Sequence, residues 1–105
     1  MTQPLLTHSS ARVAALFVKN PNAERYGLEL IRDAGSTKGT VYPMLTNWKA
    51  RGWLTERDET DAELADRREP GARRKFYRLT EPGRVALTQY LARWDARQKD
   101  SRVKI

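Results

Sequence analysis

The segment Ser36–Gly52 constrains the fold most, because one predicted helix there carries two faces of different chemistry. Its apolar residues recur at the i, i+3, i+4 and i+7 spacing of a buried helical face: Val41, Met44, Leu45 and Trp48. The opposite face is polar and carries Lys38, Tyr42, Thr46 and Lys49. Such cationic, hydroxyl and aromatic side chains contact phosphates and base edges when a helix lies in a major groove. The alternative is an ordinary amphipathic helix with a solvated outer face.

After this helix the sequence changes from helical to extended periodicity. Gly52 suits the left-handed residue that ends a helix. The segments Trp53–Asp58 and Arg73–Leu79 are predicted strands, and the charged stretch Glu59–Ala72 between them has no apolar periodicity. Two strands joined by a charged loop, directly after an amphipathic helix, predict a hairpin wing.

Two shorter helices are predicted upstream. Ser9 or Ser10 caps the first, which extends to about Lys19. The second runs from about Glu24 to Asp33. Its predicted core residues are Leu28 and Ile31, flanked by Tyr26 and Leu30. The order helix, helix, helix, strand, wing, strand is that of a winged helix-turn-helix.

Residues 80–105 predict a C-terminal helix and tail, with Thr80 as the helix cap. Its apolar stripe has the same spacing: Leu87, Tyr90, Leu91 and Trp94. With no further domain to cover, this stripe is predicted to meet a second subunit. The expected fold is therefore mainly α with a small β hairpin: a winged helix-turn-helix DNA-binding domain over residues 1–79, with its wing at about 53–79, and a dimerisation helix and tail over residues 80–105.

The charge balance favours a polyanionic partner. The 105 residues carry 20 Lys and Arg against 13 Asp and Glu, a net charge of +7. A ribosomal or membrane-surface protein could share this balance, so charge alone leaves the partner open. There is no transmembrane run or signal-peptide core, which predicts a cytoplasmic protein with no membrane partner. The absence of cysteine excludes disulfides, thiolate chemistry and cysteine metal sites.

Catalytic chemistry is hard to assemble from this chain. His8 is the only histidine and has no metal-ligand partner at helical spacing. Ser36 and Thr80 are interpreted as helix caps rather than nucleophiles, because each precedes a helical pattern and lacks a nearby base. The acidic run Asp58–Asp66 lacks the glycine and spacing of a calcium loop and is interpreted as a solvated wing. We expect no enzyme activity, cofactor or metal.

Four short motifs together resemble a known family. They are Tyr26-Gly27, Gly39-Thr40-Val41-Tyr42-Pro43-Met44-Leu45, Gly52-Trp53-Leu54 and Lys75-Phe76-Tyr77-Arg78-Leu79-Thr80-Glu81-Pro82-Gly83. In this order and spacing they resemble the PadR family of transcriptional regulators, from roughly Val13 to Leu91. The resemblance implies a winged helix followed by a C-terminal dimerisation region, and a repressor. Some small members bind flat aromatic effectors between tryptophans of the last helix, and Trp94 has a comparable place; a packing anchor is its structural alternative.

The amphipathic helix supports a DNA-binding mechanism. With Ser36 as its cap, the N–H groups of Lys38 and Gly39 lie in the first turn, where a helix N-terminus attracts phosphate. Pro43 would clash one turn back at Gly39, whose missing side chain lets the turn relax, so we expect a local distortion near the DNA-facing end rather than a broken helix. In the wing, arginine can track the DNA backbone or enter a minor groove, or it can merely neutralise the acidic half. Arg67 and Arg68 are open between these two roles. The predicted DNA contacts are Ser36, Thr37, Lys38, Gly39, Thr40, Tyr42, Thr46, Lys49, Arg73, Arg74 and Lys75.

The function that these patterns favour is sequence-specific regulation of transcription on double-stranded DNA by a dimeric repressor. Twofold symmetry would place two recognition helices about 34 Å apart and predicts an inverted-repeat operator. Two alternatives stay open: a nucleic-acid-binding module without sequence specificity, and a winged helix that binds a protein partner.

Overall fold

The structure is a computed structural model that describes residues 8–103, with side chains described for residues 8–98. Helices and strands follow one another in the order α1 His8–Lys19, β1 Arg25–Tyr26, α2 Gly27–Ala34, α3 Lys38–Ala50, β2 Leu54–Asp58, α4 Asp61–Asp66, β3 Lys75–Leu79 and α5 Glu81–Val103. This order, with its small antiparallel sheet, confirms the winged-helix prediction. None of the helices in residues 8–103 combines the length and apolar character needed to cross a membrane.

The core forms where α1, α2, α3 and α5 meet one face of the sheet. It consists of Val13, Ala14, Phe17, Leu30, Ala34, Val41, Leu45, Trp48, Leu54, Tyr77, Leu79, Leu87 and Tyr90. Trp48 lies near its centre, with ring centroids 6.5 Å from those of both Phe17 and Tyr90. The apolar stripe predicted for α3 is confirmed, although Met44 is only partly buried.

The second helix begins later than predicted. Arg25 and Tyr26 form a short strand that pairs with β3, opposite Tyr77 and Phe76. The Tyr26 ring packs edge-on against the Phe76 ring, at 5.9 Å between centroids, which favours the strand over a first helical turn. Strand β1 therefore adds a third strand to the expected hairpin, in the order β1-β3-β2.

Of the two predicted core residues of α2, Ile31 packs against the core, but the prediction is wrong for Leu28. Leu30 and Ala34 are buried, whereas Leu28 is 53% exposed. Residues two positions apart in a helix point in directions that differ by about 200°, so Leu28 and Leu30 cannot both face the core. The small Ala34 lies four residues after Leu30 and completes a face that the larger side chains alone did not indicate. Gly35 then ends the helix in the left-handed conformation, at φ 62°.

The wing contains a helix where an irregular loop was expected. Strands β2 and β3 pair from Leu54↔Leu79 to Asp58↔Lys75, and the chain between them forms α4. A capping box begins this helix: the Thr60 hydroxyl accepts from the Glu63 N–H, and the Glu63 carboxylate accepts from the Thr60 N–H. The capping box binds two N–H groups that a helix start leaves unpaired.

Helix α5 starts directly on the backbone that follows α3. The Thr80 hydroxyl accepts from the Gly83 N–H at 3.0 Å, so its predicted role as a cap is confirmed. The same hydroxyl donates to the Gly52 carbonyl at 2.6 Å, and the Thr80 N–H donates to the Trp53 carbonyl at 3.0 Å. A Cβ on Gly83 would lie 2.7 Å from the Trp53 carbonyl carbon. Only glycine allows the helix to lie this close.

The apolar stripe of α5 covers α1 of its own subunit. Leu87 and Tyr90 are fully buried, and the Tyr90 hydroxyl donates to the Ser10 hydroxyl at 3.1 Å. Leu91 packs against the same core, and the Trp94 ring meets the His8 ring edge-on at 5.0 Å. The prediction that Leu87 and Tyr90 face a second subunit is wrong, because α1 already occupies that face. Ser9 and Ser10 lie inside α1 rather than at a cap.

Candidate nucleic-acid interface

The cap position of α3 is occupied by a different residue from the one predicted. Thr37, not Ser36, occupies the cap position, and its side chain makes no capping bond. The Ser36 hydroxyl donates instead to the Ser9 hydroxyl at 3.2 Å and ties the start of α3 to α1. The first N–H groups of a helix have no intrahelical acceptor. Lys38 and Gly39, the first two residues of α3, are both exposed, so an anion can approach this end of the helix.

The outward face of α3 is open along most of its length. The side chains of Lys38, Thr40, Thr46 and Lys49 are exposed, and nothing lies within 4 Å of a Cβ built on Gly39. The helix continues through Pro43. A Cβ on Gly39 would meet nothing within 4 Å, so the missing side chain is not what allows the helix to continue. Lys38 makes no ion pair with any residue whose side chain the structure describes.

The Tyr42 ring lies across the first residue of α2. A Cβ on Gly27 would be 2.6 Å from Tyr42 Cε1 and 2.7 Å from its hydroxyl. Tyr42 nevertheless remains 38% exposed, although its ring packs directly on Gly27. Gly27 therefore positions a predicted DNA contact, a role for which the sequence offers no signal beyond the Tyr-Gly pair itself.

Lys49 and Lys75 share one carboxylate. Lys49 Nζ lies 2.9 Å and Lys75 Nζ 3.5 Å from Glu56 Oε1, and the bond from Lys49 is the main cause that lowers the Glu56 pKa. Tyr77 also bonds to Glu56. The pKa of Tyr77 is raised to about 12, first by the burial of Tyr77 and then by the nearby charge of Glu56. Lys49 therefore joins α3 to the sheet instead of extending freely into solvent.

The wing cations also have partners within the wing. Arg73 donates to the Asp61 carboxylate and to the Glu59 carbonyl, each at 2.7 Å. The Arg74 guanidinium lies 4.0 Å above the Tyr26 ring and reaches the exposed Glu69 carboxylate only at 3.9 Å. In the free protein these contacts fit the neutralising interpretation of the wing, with Arg74 the least compensated.

A buried ion pair that the sequence analysis missed holds the wing turn. Glu59 is 3% exposed; its Oε2 lies 3.1 Å from Arg67 Nε, and its Oε1 accepts from the Arg74 N–H. Arg67 also donates to the carbonyls of Gly71 and Ala72. The interpretation of the acidic run as wholly solvated is wrong at Glu59. The sequence signal was the Thr60-x-x-Glu63 capping box, which turns the chain back toward Arg67.

A second cluster of charges joins the wing to the body. Arg57 binds the carboxylates of Glu24 and Glu63 through pairs of hydrogen bonds of 2.7–2.9 Å, and it lies 4.7 Å from the Phe76 ring centroid. The bond from Arg57 and the Thr60 N–H lower the pKa of Glu63 to about 2. Arg57 therefore connects the segment before β1 to α4 through strand β2.

The start of α3 and the wing enclose a cleft of about 410 Å³. Tyrosine rings and cations line much of it: Tyr26, Tyr42, Tyr77, Lys38, Arg67, Arg73, Arg74 and Lys75. Among the described residues, no Asp or Glu lines this cleft. Of the predicted DNA contacts, the structure thus brings Lys38 and Tyr42 of α3 together with the basic residues Arg73, Arg74 and Lys75 of the wing. The other predicted contacts lie outside the cleft: Ser36, Thr37, Gly39, Thr40, Thr46 and Lys49. Within residues 8–98, no cluster of three potential metal ligands occurs.

Residues 18–89, about two thirds of the chain, match the model of the transcriptional regulator PadR-like family. A search of curated proteins finds no match.

Solved structures share the fold. A transcriptional regulator from Clostridium thermocellum superposes with a TM-score of 0.71 at 15% identity, over 93% of this chain and 90% of that one. A PadR-like transcription factor from Bacteroides fragilis gives 0.59 at 24% identity, over 89% and 85%. NadR, solved with 4-hydroxyphenylacetate, gives 0.58 at 19% identity, over 90% and 62%.

Proposed function

Because the chain belongs to the PadR-like family of transcriptional regulators, we propose that it is a dimeric repressor that binds a specific sequence of double-stranded DNA. The observation that carries the proposal is the exposed polar face of α3 with its unpaired Lys38, beside a cationic cleft whose described lining contains no carboxylate. Helix α3 would enter the major groove. Bound at a promoter, the protein would block its own gene or a neighbouring one.

The N-terminal half of α3 supplies the proposed contacts. The free N–H groups of Lys38 and Gly39 and the exposed hydroxyls of Thr40 and Tyr42 suit phosphate oxygens, and Thr37 or Lys38 reaches a base edge. The open space around Gly39 lets a phosphate approach the backbone. This role leaves Ser36 as a support for the helix rather than as a contact.

The wing cations would exchange partners when DNA binds. The carboxylates that face Arg73 and Lys75 include Asp61 and Asp58, both largely exposed. Exposed pairs contribute only about 0–1 kcal/mol each, so a phosphate can replace them at small cost. The buried pair of Glu59 and Arg67 would stay intact and keep the wing in shape, which removes Arg67 from the proposed DNA contacts.

The homodimer would use the part of α5 that α1 does not cover. At 1.5 Å per residue, α5 is about 34 Å long and α1 about 18 Å. Since Trp94 meets His8, the first described residue of α1, the helix beyond Trp94 extends past the described part of α1. Leu91 and Trp94 lie at the edge of that surface. A planar aromatic effector is proposed there as well, on the half-buried Trp94; NadR, with a similar fold, was solved with an aromatic ligand.

Selection of bound duplexes from a random DNA pool tests the proposal. An enriched inverted repeat is expected. Comparable affinity for unrelated duplexes would favour a nucleic-acid-binding module without sequence specificity, and an absence of binding would favour a protein-interaction winged helix.

Lys38→Ala should reduce the slope of log affinity against log salt by about 0.9, the value for one lost phosphate contact. The control is Lys19→Ala, which removes the same single positive charge at the exposed end of α1. Equal slopes in the two variants would remove Lys38 from the interface.

The dimer is tested by sedimentation. Ala96 is exposed on α5 beyond Trp94, so Ala96→Glu leaves the described core untouched and places a charge in the proposed interface. We expect it to give monomers, whereas Val85→Glu, at the other end of the same helix, stays dimeric. Operator affinity should fall when the dimer is lost, because two linked half-sites bind better than one. An unaltered dimer in Ala96→Glu would place the interface elsewhere.

A further inference from the structure

The cleft between α3 and the wing has the properties of a small-molecule site as well as of a DNA-facing surface. Its volume of about 410 Å³ lies within the roughly 300–1,000 Å³ range of ligand pockets. The large hydrophobic side chains that are exposed within residues 8–98 are Leu28, Tyr42 and Val85, and the first two line the cleft. Exposed apolar surface is thus concentrated at this site, where a flat ring could cover it.

The charges of the cleft indicate a dianion. Arg67 pairs with the buried Glu59 and Arg73 with Asp61. Lys75 shares Glu56 with Lys49 and also lies 3.9 Å from Asp58. Lys38 has no partner among the described side chains, and Arg74 has only the contact of 3.9 Å with Glu69. Lys38 and Arg74 are therefore the least compensated cations of the cleft, a pair that suits the charge of about −1.5 to −2 on a phosphate monoester at neutral pH.

From this combination we propose that the cleft binds a free nucleotide-like ligand, a flat ring that carries a phosphate monoester. The ring covers Leu28 and Tyr42, and the phosphate lies between Lys38 and Arg74. The same chemistry could come from one nucleotide of a DNA strand, so the experiment separates the two sources. Since Lys38 and Arg74 are also proposed DNA contacts, an occupied cleft excludes DNA; this consequence, unlike the binding itself, rests on the proposed function.

The first arm measures binding to the protein without DNA, at constant ionic strength, by calorimetry and by NMR of the tyrosine rings. Adenosine monophosphate is the probe, and adenosine and inorganic phosphate are its controls, each lacking one half of the proposed ligand. We expect saturable binding of the monophosphate, shifts at Tyr42 and Tyr26, and at least tenfold weaker binding of both controls. Equal affinity for inorganic phosphate, or no saturable binding of the monophosphate, would overturn the proposal.

The second arm locates the site. Leu28 is exposed, so Leu28→Glu should fold normally. Its carboxylate should lower the affinity for the monophosphate at least tenfold, because it repels the phosphate. Leu28→Gln has nearly the same shape without the charge and should lose much less. Val85→Glu places the same charge on an exposed position of α5 outside the cleft and should bind as wild type does. If Leu28→Glu and Val85→Glu bind equally, the ligand lies elsewhere and the proposal fails.

The third arm adds operator DNA at constant ionic strength. Displacement of DNA by the monophosphate, but not by adenosine, is the expected result. If DNA binds and the monophosphate does not, the cleft serves DNA alone: the proposed site fails and the proposed function stands. If the monophosphate binds and no duplex does, the site stands and the proposed function fails. If both bind together without competition, the claim that ligand excludes DNA is wrong.

Discussion

Gly83→Ala should destabilise the protein although alanine is the better helix former. A Cβ at this position would lie 2.7 Å from the carbonyl carbon and 2.8 Å from the Cα of Trp53. These are backbone atoms and cannot swing aside as a side chain can. The start of α5 must therefore move away from the segment that follows α3, and the two hydrogen bonds from Thr80 to Gly52 and Trp53 lengthen.

The magnitude follows from three contributions. Overpacking costs about 1–3 kcal/mol, and each weakened hydrogen bond costs up to about 0.5–1.5 kcal/mol. Replacement of glycine by alanine in a helix returns about 1 kcal/mol. We expect the free energy of unfolding to fall by about 3 kcal/mol, which lowers Tm by roughly 12–24 °C in a domain of this size.

The matched control is Gly39→Ala. Gly39 lies in the first turn of α3, and a Cβ there has nothing within 4 Å. This variant should gain about 0.5–1 kcal/mol of stability from the reduced flexibility of the unfolded chain. Urea and thermal unfolding, followed by circular dichroism, measure both variants. If Gly83→Ala unfolds within about 0.5 kcal/mol of wild type, a small difference for any substitution, the close approach of α5 to Trp53 is not a real constraint on this fold.

Three further predictions concern the wing and the start of α3. Glu63 has a lowered pKa of about 2, so its contribution to stability should be complete above its unfolded value of 4.5 and be lost as pH falls toward 2; Arg57→Met should return this pKa, measured by carboxyl NMR, toward 4.5. Glu59→Gln should cost roughly 1–3 kcal/mol of stability in urea unfolding, because the buried guanidinium of Arg67 loses its counter-charge; a stability equal to wild type would contradict this. Gly27→Ala should leave the fold cooperative but displace the Tyr42 ring, so its operator affinity should fall more than its Tm; normal affinity would show that Tyr42 does not need its present position.

Local patterns in the sequence predicted local structure well. Thr80 caps α5 because capping depends on a hydroxyl and an N–H group three residues apart. Val41, Leu45 and Trp48 are buried because their spacing leaves one direction for all three. The cap of α3 was predicted wrongly, because Ser36 and Thr37 are both good cap residues and the bond from Ser36 to Ser9 is not visible in the sequence.

Where the sequence analysis failed, the missing information was the identity of a partner. The spacing of Leu87 and Tyr90 correctly predicts a buried face, but periodicity does not say whether α1 or a second subunit covers it. Glu59 was interpreted as solvated because its partner Arg67 is brought near only after α4 has formed. Leu28 was assigned to the core because the larger side chains alone do not indicate the face that Leu30 forms with the small Ala34.

The junction between α3 and α5 also determines how motion passes through the molecule. The start of α5 lies directly against the backbone that follows α3: Thr80 donates to the Gly52 carbonyl, and Gly83 packs on the Trp53 carbonyl. Helix α5 therefore has little freedom to pivot there independently of α3. A rigid tilt of about 5° along its length of about 34 Å displaces the far end by about 3 Å. If α5 tilted as one body with α3, the polar face of α3 would therefore turn as well.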